Sequence, residues 1–390
     1  MIKGKAALLN ILYEKTKFFK SVDISEKMDG ATPPSVFIGS FGYPKVFVGP
    51  MTPPIHGNTE MLDAPEKWLG RVNTPEEIAE LRLKLVRGKK TVHIKEENKF
   101  IDGIRDIALA KQSTEMELEF SKKPTGGFFH EELQPFGPSA PIKSWRIESG
   151  KYDEKIEKAH YDTDLKSADA IMELYKGGTA ISGIQRALSV GAFGLKKNRK
   201  LVPTRWAITA VDSGISENLL KEVREFPPLE EYRVYEYEHM RNKFIIIFVP
   251  QQWSYESMEA FYSADGKNAA IFSDFEVYHR KKEYASIGGC YYSCRTSVAE
   301  LLMKEKRQAA IIILREAYKD YIPLGVWLTR ECTRLALEQK PMVFQTLTET
   351  LKYAGSRLTV PMKRWIEESS LLRTISSKGI QSSLSSFLHN

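Results

Sequence analysis

The sequence predicts a mixed α/β fold: a central mixed sheet flanked by helices, then a helical C-terminal region and a flexible C-terminal tail. Three observations carry that expectation. The run Lys243-Phe-Ile-Ile-Ile-Phe-Val-Pro250 is apolar on both faces, as in a strand covered on both sides. Glu115, Glu117 and Glu119 alternate with Met116, Leu118 and Phe120, the period of a half-exposed strand. Elsewhere apolar residues recur at helical spacing, over 152–175, 297–321 and 326–339. With 390 residues, 42% of them hydrophobic, the chain can bury a large core in two or three structural units.

In chain order, 6–19 has helical spacing, and Pro33-Pro34 closes the segment after it. Two β-rich runs, 35–38 and 45–48, flank Gly39-Ser-Phe-Gly-Tyr-Pro44, a glycine-containing hairpin loop. Thr74 followed by Pro75 and Glu77 gives an N-cap, a proline at the first helical position and a capping-box glutamate. The stretch 202–213 has the pattern of a buried strand entering a turn at Asp212. Ser273 to Arg280 forms another strand. A change of period near residue 290 divides a region 1–290 from a helical region 291–368, and a serine-rich run opens the tail, 369–390.

A formal charge of +7 suits a polyanionic partner. The chain has no run of eighteen apolar residues, which excludes a membrane-spanning helix. Cys290, Cys294 and Cys332 are too few and too oddly spaced for a disulfide framework or a four-thiolate metal site. They read as buried free thiols in a reducing, cytoplasmic compartment.

Four stretches carry candidate chemistry. In the hairpin loop, Gly39 and Gly42 let backbone amides approach a ligand, with Tyr43 to stack and Lys45 to supply charge; a plain hairpin is the competing reading. Lys196, Lys197, Arg199 and Lys200 place four cations in five residues, a phosphate-contact loop or a solvated one. Arg205 beside Trp206 in an apolar stretch needs a carboxylate, a phosphate or water. Trp253, Glu256 and Glu259, read as the start of a helix after the 243–250 strand, put two carboxylates on one face beside an indole. That arrangement serves acid–base chemistry, with Asp212 as a further acid, or simply complements a helix dipole. Arg280 and Arg295 add cations near the proposed boundary.

The tail places Gln381, Leu384, Phe387 and Leu388 at spacings of three, three and one. In one tight turn, Leu384, Phe387 and Leu388 project together as an apolar plug, with Gln381 free to reach a polar pocket. The competing reading is a staple that holds the terminus on the body. Gln-x-x-aliphatic-x-x-aromatic-apolar resembles the motif by which repair proteins dock on the polymerase sliding clamp (PCNA), with Leu388 where a second aromatic is usual.

Pro34-Ser-Val-Phe-Ile-Gly-x-Phe-Gly-Tyr-Pro-Lys45, Gly137-Pro-Ser-Ala-Pro141, Leu201-Val-Pro-Thr-Arg-Trp206 through Asp212, Arg307-Gln-Ala309 and Pro323-Leu-Gly-Val-Trp327 together resemble the archaeal Nre (NreA-like) DNA-repair family. The resemblance covers nearly the whole chain. It implies a role in repair of DNA damage, clamp docking through the tail, and a nucleoid-associated location. Many members begin with a four-cysteine zinc ribbon whose cysteines are missing here, so no zinc and no other cofactor is expected. Two functions compete: a repair factor recruited to damaged DNA by the clamp, and a metal-independent enzyme acting on a nucleotide or lesion, through base–sugar or ADP-ribose-type chemistry.

Overall fold

The computed structural model describes residues 19–375, except 149, 264, 265, 280 and 282. The residues expected to dock, Gln381, Leu384, Phe387 and Leu388, together with Arg280 and nearly all of the helix expected over 6–19, lie outside the described residues. The α/β class holds, but the chain builds two mixed sheets rather than one, in two compact units. The first unit runs to Ile215 and takes in Pro323–Trp327; the second comprises Ser216–Ile322 and the described residues from Leu328 onward.

In the first unit, β1 (Lys27–Thr32), β2 (Val36–Ile38), β3 (Lys45–Thr52), β4 (Val86–His93), β5 (Thr114–Phe120) and β6 (Ser139–Ile147) lie in the order β1-β5-β6-β4-β3-β2. Only β4 and β6 run parallel. The glutamate alternation of β5 is real: Met116, Leu118 and Phe120 are buried while the glutamates face outward. Thr74 caps the helix Pro75–Leu83 by accepting from the Glu77 N–H, and Glu77 reaches back to the Asn73 N–H. β3 and β4 approach so closely that a Cβ on Gly49 would lie 1.7 Å from the Gly88 carbonyl oxygen, so only glycine fits there.

In the second unit, β7 (Tyr232–His239), β8 (Asn242–Val249), β9 (Ser254–Tyr262), β10 (Ala269–Glu276), β11 (Ala310–Ala317) and β12 (Met342–Phe344) are ordered β10-β9-β11-β8-β7-β12. β8 is internal, as its two apolar faces require, and packs Ile245 and Ile247 into a core with Ile312, Leu314 and Trp365. The helix expected over 297–321 is corrected. It is Gly289–Glu305, ended by Lys306 in the left-handed region (φ 54°), and Ile311 to Leu314 belong to β11 between β8 and β9. Three consecutive isoleucines favour the pleated state once both neighbours bury them.

Two further expectations are overturned. Residues 202–213 do not form a strand: helix Thr204–Val223 starts right after Pro203, and Asp212 is buried within it instead of making a turn. Glu256 and Glu259 do not sit on a helix; they are strand residues of β9. The serine-rich lead-in also starts ordered, since residues 370–375 are helical and Ser369, Leu372 and Ile375 are buried. Among the described residues no helix is long and apolar enough to cross a membrane.

Candidate nucleic-acid interface

The loop between β2 and β3 turns on Gly42, whose φ of +81° and 2.7 Å Cβ approach to the Lys45 carbonyl oxygen exclude other residues. The turn closes with Lys45 N–H donating to the Gly42 carbonyl at 3.0 Å. At its base the Ile38 N–H donates to Thr204 Oγ1 at 2.9 Å, which pins the first turn of helix Thr204–Val223 beside the loop. Tyr43 and Trp206 therefore meet, ring centroids 5.0 Å apart. Both remain open to solvent, at 41% and 40% exposure, and Phe41 at the tip is 86% exposed.

Alternation along β3 continues the face. Val46 and Val48 are buried, so Lys45 and Phe47 point outward, and the Lys89 ammonium of β4 lies 5.7 Å from the Phe47 ring centre. The basic loop joins from the other side. Ile94 N–H donates to the Pro44 carbonyl and Leu201 N–H to the Ile94 carbonyl, at 3.0 and 2.8 Å, so the residue that follows the basic loop is tied through Ile94 to the base of the hairpin. Lys196, Lys197 and Lys200 are exposed there.

Two candidate cations have other employment. Arg199 donates to the carbonyls of Gly194, His160 and Asp162, so it staples the loop rather than offering its charge. Arg205, with its side chain 40% exposed on the helix instead of in a buried strand, ion-pairs with Glu132 at 3.2 Å. Burial beside this pair lowers the pKa of His130, with Glu132 pulling the other way. A cation with no signal in the sequence is more telling. Arg87 of β4 is 8% exposed, lies 4.1 Å over the Phe37 ring and donates to the Phe47 carbonyl, yet pairs with no carboxylate among the described residues. Burial alone pushes its pKa down to about 9. None of Phe47, Lys89 and Arg87 stood out in the sequence, and nothing local says that Arg87 lacks an acid.

The comparisons with known proteins bear on the whole chain. The family described as "Archaeal Nre, N-terminal" matches residues 3–265, and "Archaeal Nre, C-terminal" matches residues 276–387. The chain belongs to the archaeal Nre family. It is 38% identical over 359 residues to the DNA repair protein NreB of Archaeoglobus fulgidus, covering 90% of each chain. It is 34% identical over 364 residues to NreA of the same organism, and 27% identical over 361 residues to NreA of Haloferax volcanii. The alignments cover at least 86% of each of those chains. No solved structure matches.

In the second unit of this Nre chain, the carboxylates singled out for catalysis are sealed inside. Glu259 is 1% exposed and stands opposite Arg315 in the parallel β9/β11 register, its Oε1 accepting from the guanidinium at 2.5 Å. Glu256 accepts from the Ser369 hydroxyl and from the Ser370 and Leu371 N–H groups, the latter two at 2.8 and 3.0 Å. Successive side chains on a strand alternate between its faces, so residues 256 and 259 point to opposite sides and form no pair. Trp253, 1% exposed, stacks on Tyr255 and donates to Glu276. Arg295, also 1% exposed, ion-pairs with Glu276 and Glu217, both at 2.7 Å. A hollow of about 670 Å³ in this unit is lined by four carboxylates, Glu231, Glu300, Glu305 and Glu338, against three cations, Arg233, Lys304 and Arg334. Its charge is wrong for a phosphate chain.

One pH effect comes from such buried acids. Burial raises the Glu316 carboxyl above its usual range, opposed by hydrogen bonds from the Val360 and Thr359 N–H groups. The folded state thus holds this proton more tightly than the unfolded chain. Its contribution is greatest below pH 4.5 and falls as pH rises from there through the raised folded value. Denaturant melts of the wild type and Glu316→Gln across pH 4–8 should show the wild type losing stability relative to the variant as pH rises. A constant difference would refute the assignment.

In the first unit, Asp29, His56 and Glu115 are surface residues whose metal-type atoms come together, all within 4.8 Å. The His56 Nδ1 is engaged by Glu115 at 2.8 Å, which raises the imidazole pKa. An ion pair accounts for this cluster.

Proposed function

We propose that this Nre protein is a DNA repair factor that docks on the polymerase sliding clamp through Gln381, Leu384, Phe387 and Leu388 and contacts DNA through the loop, strand and helix-start face of its first unit. The reading is carried by the alignment over nine-tenths of the chain with proteins named for DNA repair, joined to the Gln-x-x-Leu-x-x-Phe-Leu spacing. A single-turn apolar plug buries far less than a standard interface, so docking by itself has a Kd on the order of micromolar. Lysine contacts from the body to the same DNA then raise the effective concentration at the clamp.

Deleting residues 381–390 tests the first half. Calorimetric titration against the clamp should lose all detectable binding, while affinity for free DNA stays at the wild-type level. Retained clamp binding would sink the docking claim. The enzymatic alternative draws no support from Glu256, Glu259 or Trp253, each buried and already engaged by protein partners.

A further inference from the structure

The face formed by the β2–β3 loop, β3 and the start of helix Thr204–Val223 is built for more than phosphates. Four aromatic rings, Phe41, Tyr43, Phe47 and Trp206, stand at 40–86% exposure within one stretch of surface, and the side chains interleaved with them are basic. Rings on a free surface carry a hydration cost that a flat apolar partner removes. Lys45 is exposed among them, and Lys196, Lys197 and Lys200 are exposed on the basic loop that is tied through Leu201 and Ile94 to Pro44. Lys89 is crowded by the positive charges of Arg87 and Lys122, after burial the next causes of its lowered pKa. Beneath them Arg87 is a buried cation that no acid among the described residues offsets, so the local potential is positive even before the lysines are counted.

A duplex offers phosphates to such a face but hides the flat sides of its bases in the stack. An unpaired strand offers both. We propose that this face binds unpaired DNA, with bases stacked on Phe41, Tyr43 and Trp206 and the intervening phosphates neutralised by Lys45, Lys89, Lys196 and Lys197. The inference rests on the DNA-contact reading under Proposed function and adds its substrate class: single-stranded segments, as exposed at gaps, flaps or unpaired lesions. Gly42 serves the same end, since its φ of +81° makes the tight turn next to the exposed Phe41 ring.

The test compares fluorescence anisotropy of the full chain on an oligothymidine of about 20 nucleotides, long enough to cover one such face, and on a duplex of equal length at several salt concentrations. The single strand should bind more tightly. Phe41→Ala with Trp206→Ala should weaken single-strand binding by about tenfold to a hundredfold, leaving duplex binding and the salt slope unchanged, because the lost rings bear no charge. Trp206→Phe with Phe41→Tyr, which keeps a stacking surface, should restore most of the affinity. Phe41 is 86% exposed, so its loss should leave the fold intact, and melting curves of each variant check this. Lys196→Ala with Lys197→Ala should weaken both ligands and flatten the salt slope. Tighter duplex binding, or wild-type single-strand binding by the aromatic double variant, overturns the inference. Unchanged binding by the lysine variant as well would overturn the DNA-contact reading beneath it.

Discussion

Glu259→Ala will destabilise the protein by about 3–5 kcal/mol, the cost of leaving a buried charge without its partner. Strand register sets up the pair. Arg315 on β11 stands beside Glu259 on β9, and its other guanidinium nitrogens donate to Asn242 of β8 at 2.9 and 2.7 Å. Three adjacent strands are thus tied by one side chain, 2% exposed and ringed by Phe244, Phe261 and Tyr321. The second carboxylate oxygen of Glu259 accepts from the Cys290 thiol at 3.1 Å. Removing the acid breaks the ion pair among these aromatic rings, whereas replacing both partners with apolar residues removes the desolvation cost along with the attraction. Glu259→Met with Arg315→Met should therefore recover much of the lost stability in a urea melt. If Glu259→Ala melts with the wild type, the pair carries no structural weight.

Glu256→Ala should cost about 3 kcal/mol or more, because one carboxylate satisfies three donors at once. Those donors, Ser369, Ser370 and Leu371, form the start of the 370–375 helical segment, and Leu371, Leu372 and Ile375 pack with Trp365 in the second core. The acid therefore holds the last described segment of the chain, 370–375, on the second core. Glu256→Ala should expose that segment to proteolysis and accelerate its amide exchange, while the clamp affinity proposed for residues 381–388 stays unchanged. Glu256→Gln should fall between the two, since its single carbonyl oxygen replaces only part of the acceptor set. A role in proton transfer would instead show as lost activity at unchanged stability.

Both expectations concern residues that the sequence points to and misplaces. Glu256 and Glu259 look paired because three-residue spacing brings side chains together on a helix. The run Ser254 to Tyr262 is a strand because β11 and β10 close on either side of it, information held by residues 269–276 and 310–317. Likewise Arg295 reads only as a cation near the boundary at 290, and the fold alone reveals Glu217 and Glu276 beside it. Asp212 changes from turn to buried helix because Pro203 ends one extended stretch and the apolar residues after it are covered at helical spacing: Ala207, Val211 and Ile215.

Local chemistry decided the rest. The β2–β3 hairpin was legible from glycines and β-branched flanks, the helix at Pro75 from its cap, β5 from strict alternation and β8 from unbroken apolar residues. Each depends on contacts within a few positions, where covalent proximity limits the alternatives. The candidate site divides the same way. Tyr43, Lys45, Lys196, Lys197 and Trp206 stood out singly by residue type, and the motif at 381–388 and the family segments are linear patterns that no folding is needed to read. That Tyr43 meets Trp206, that Arg199 is consumed by its own loop and that Arg87 lies buried with no acid beside it among the described residues were decided by tertiary structure alone. Such facts depend on which distant groups share a low-dielectric interior, and a buried charge is weighed by partners far away in the chain.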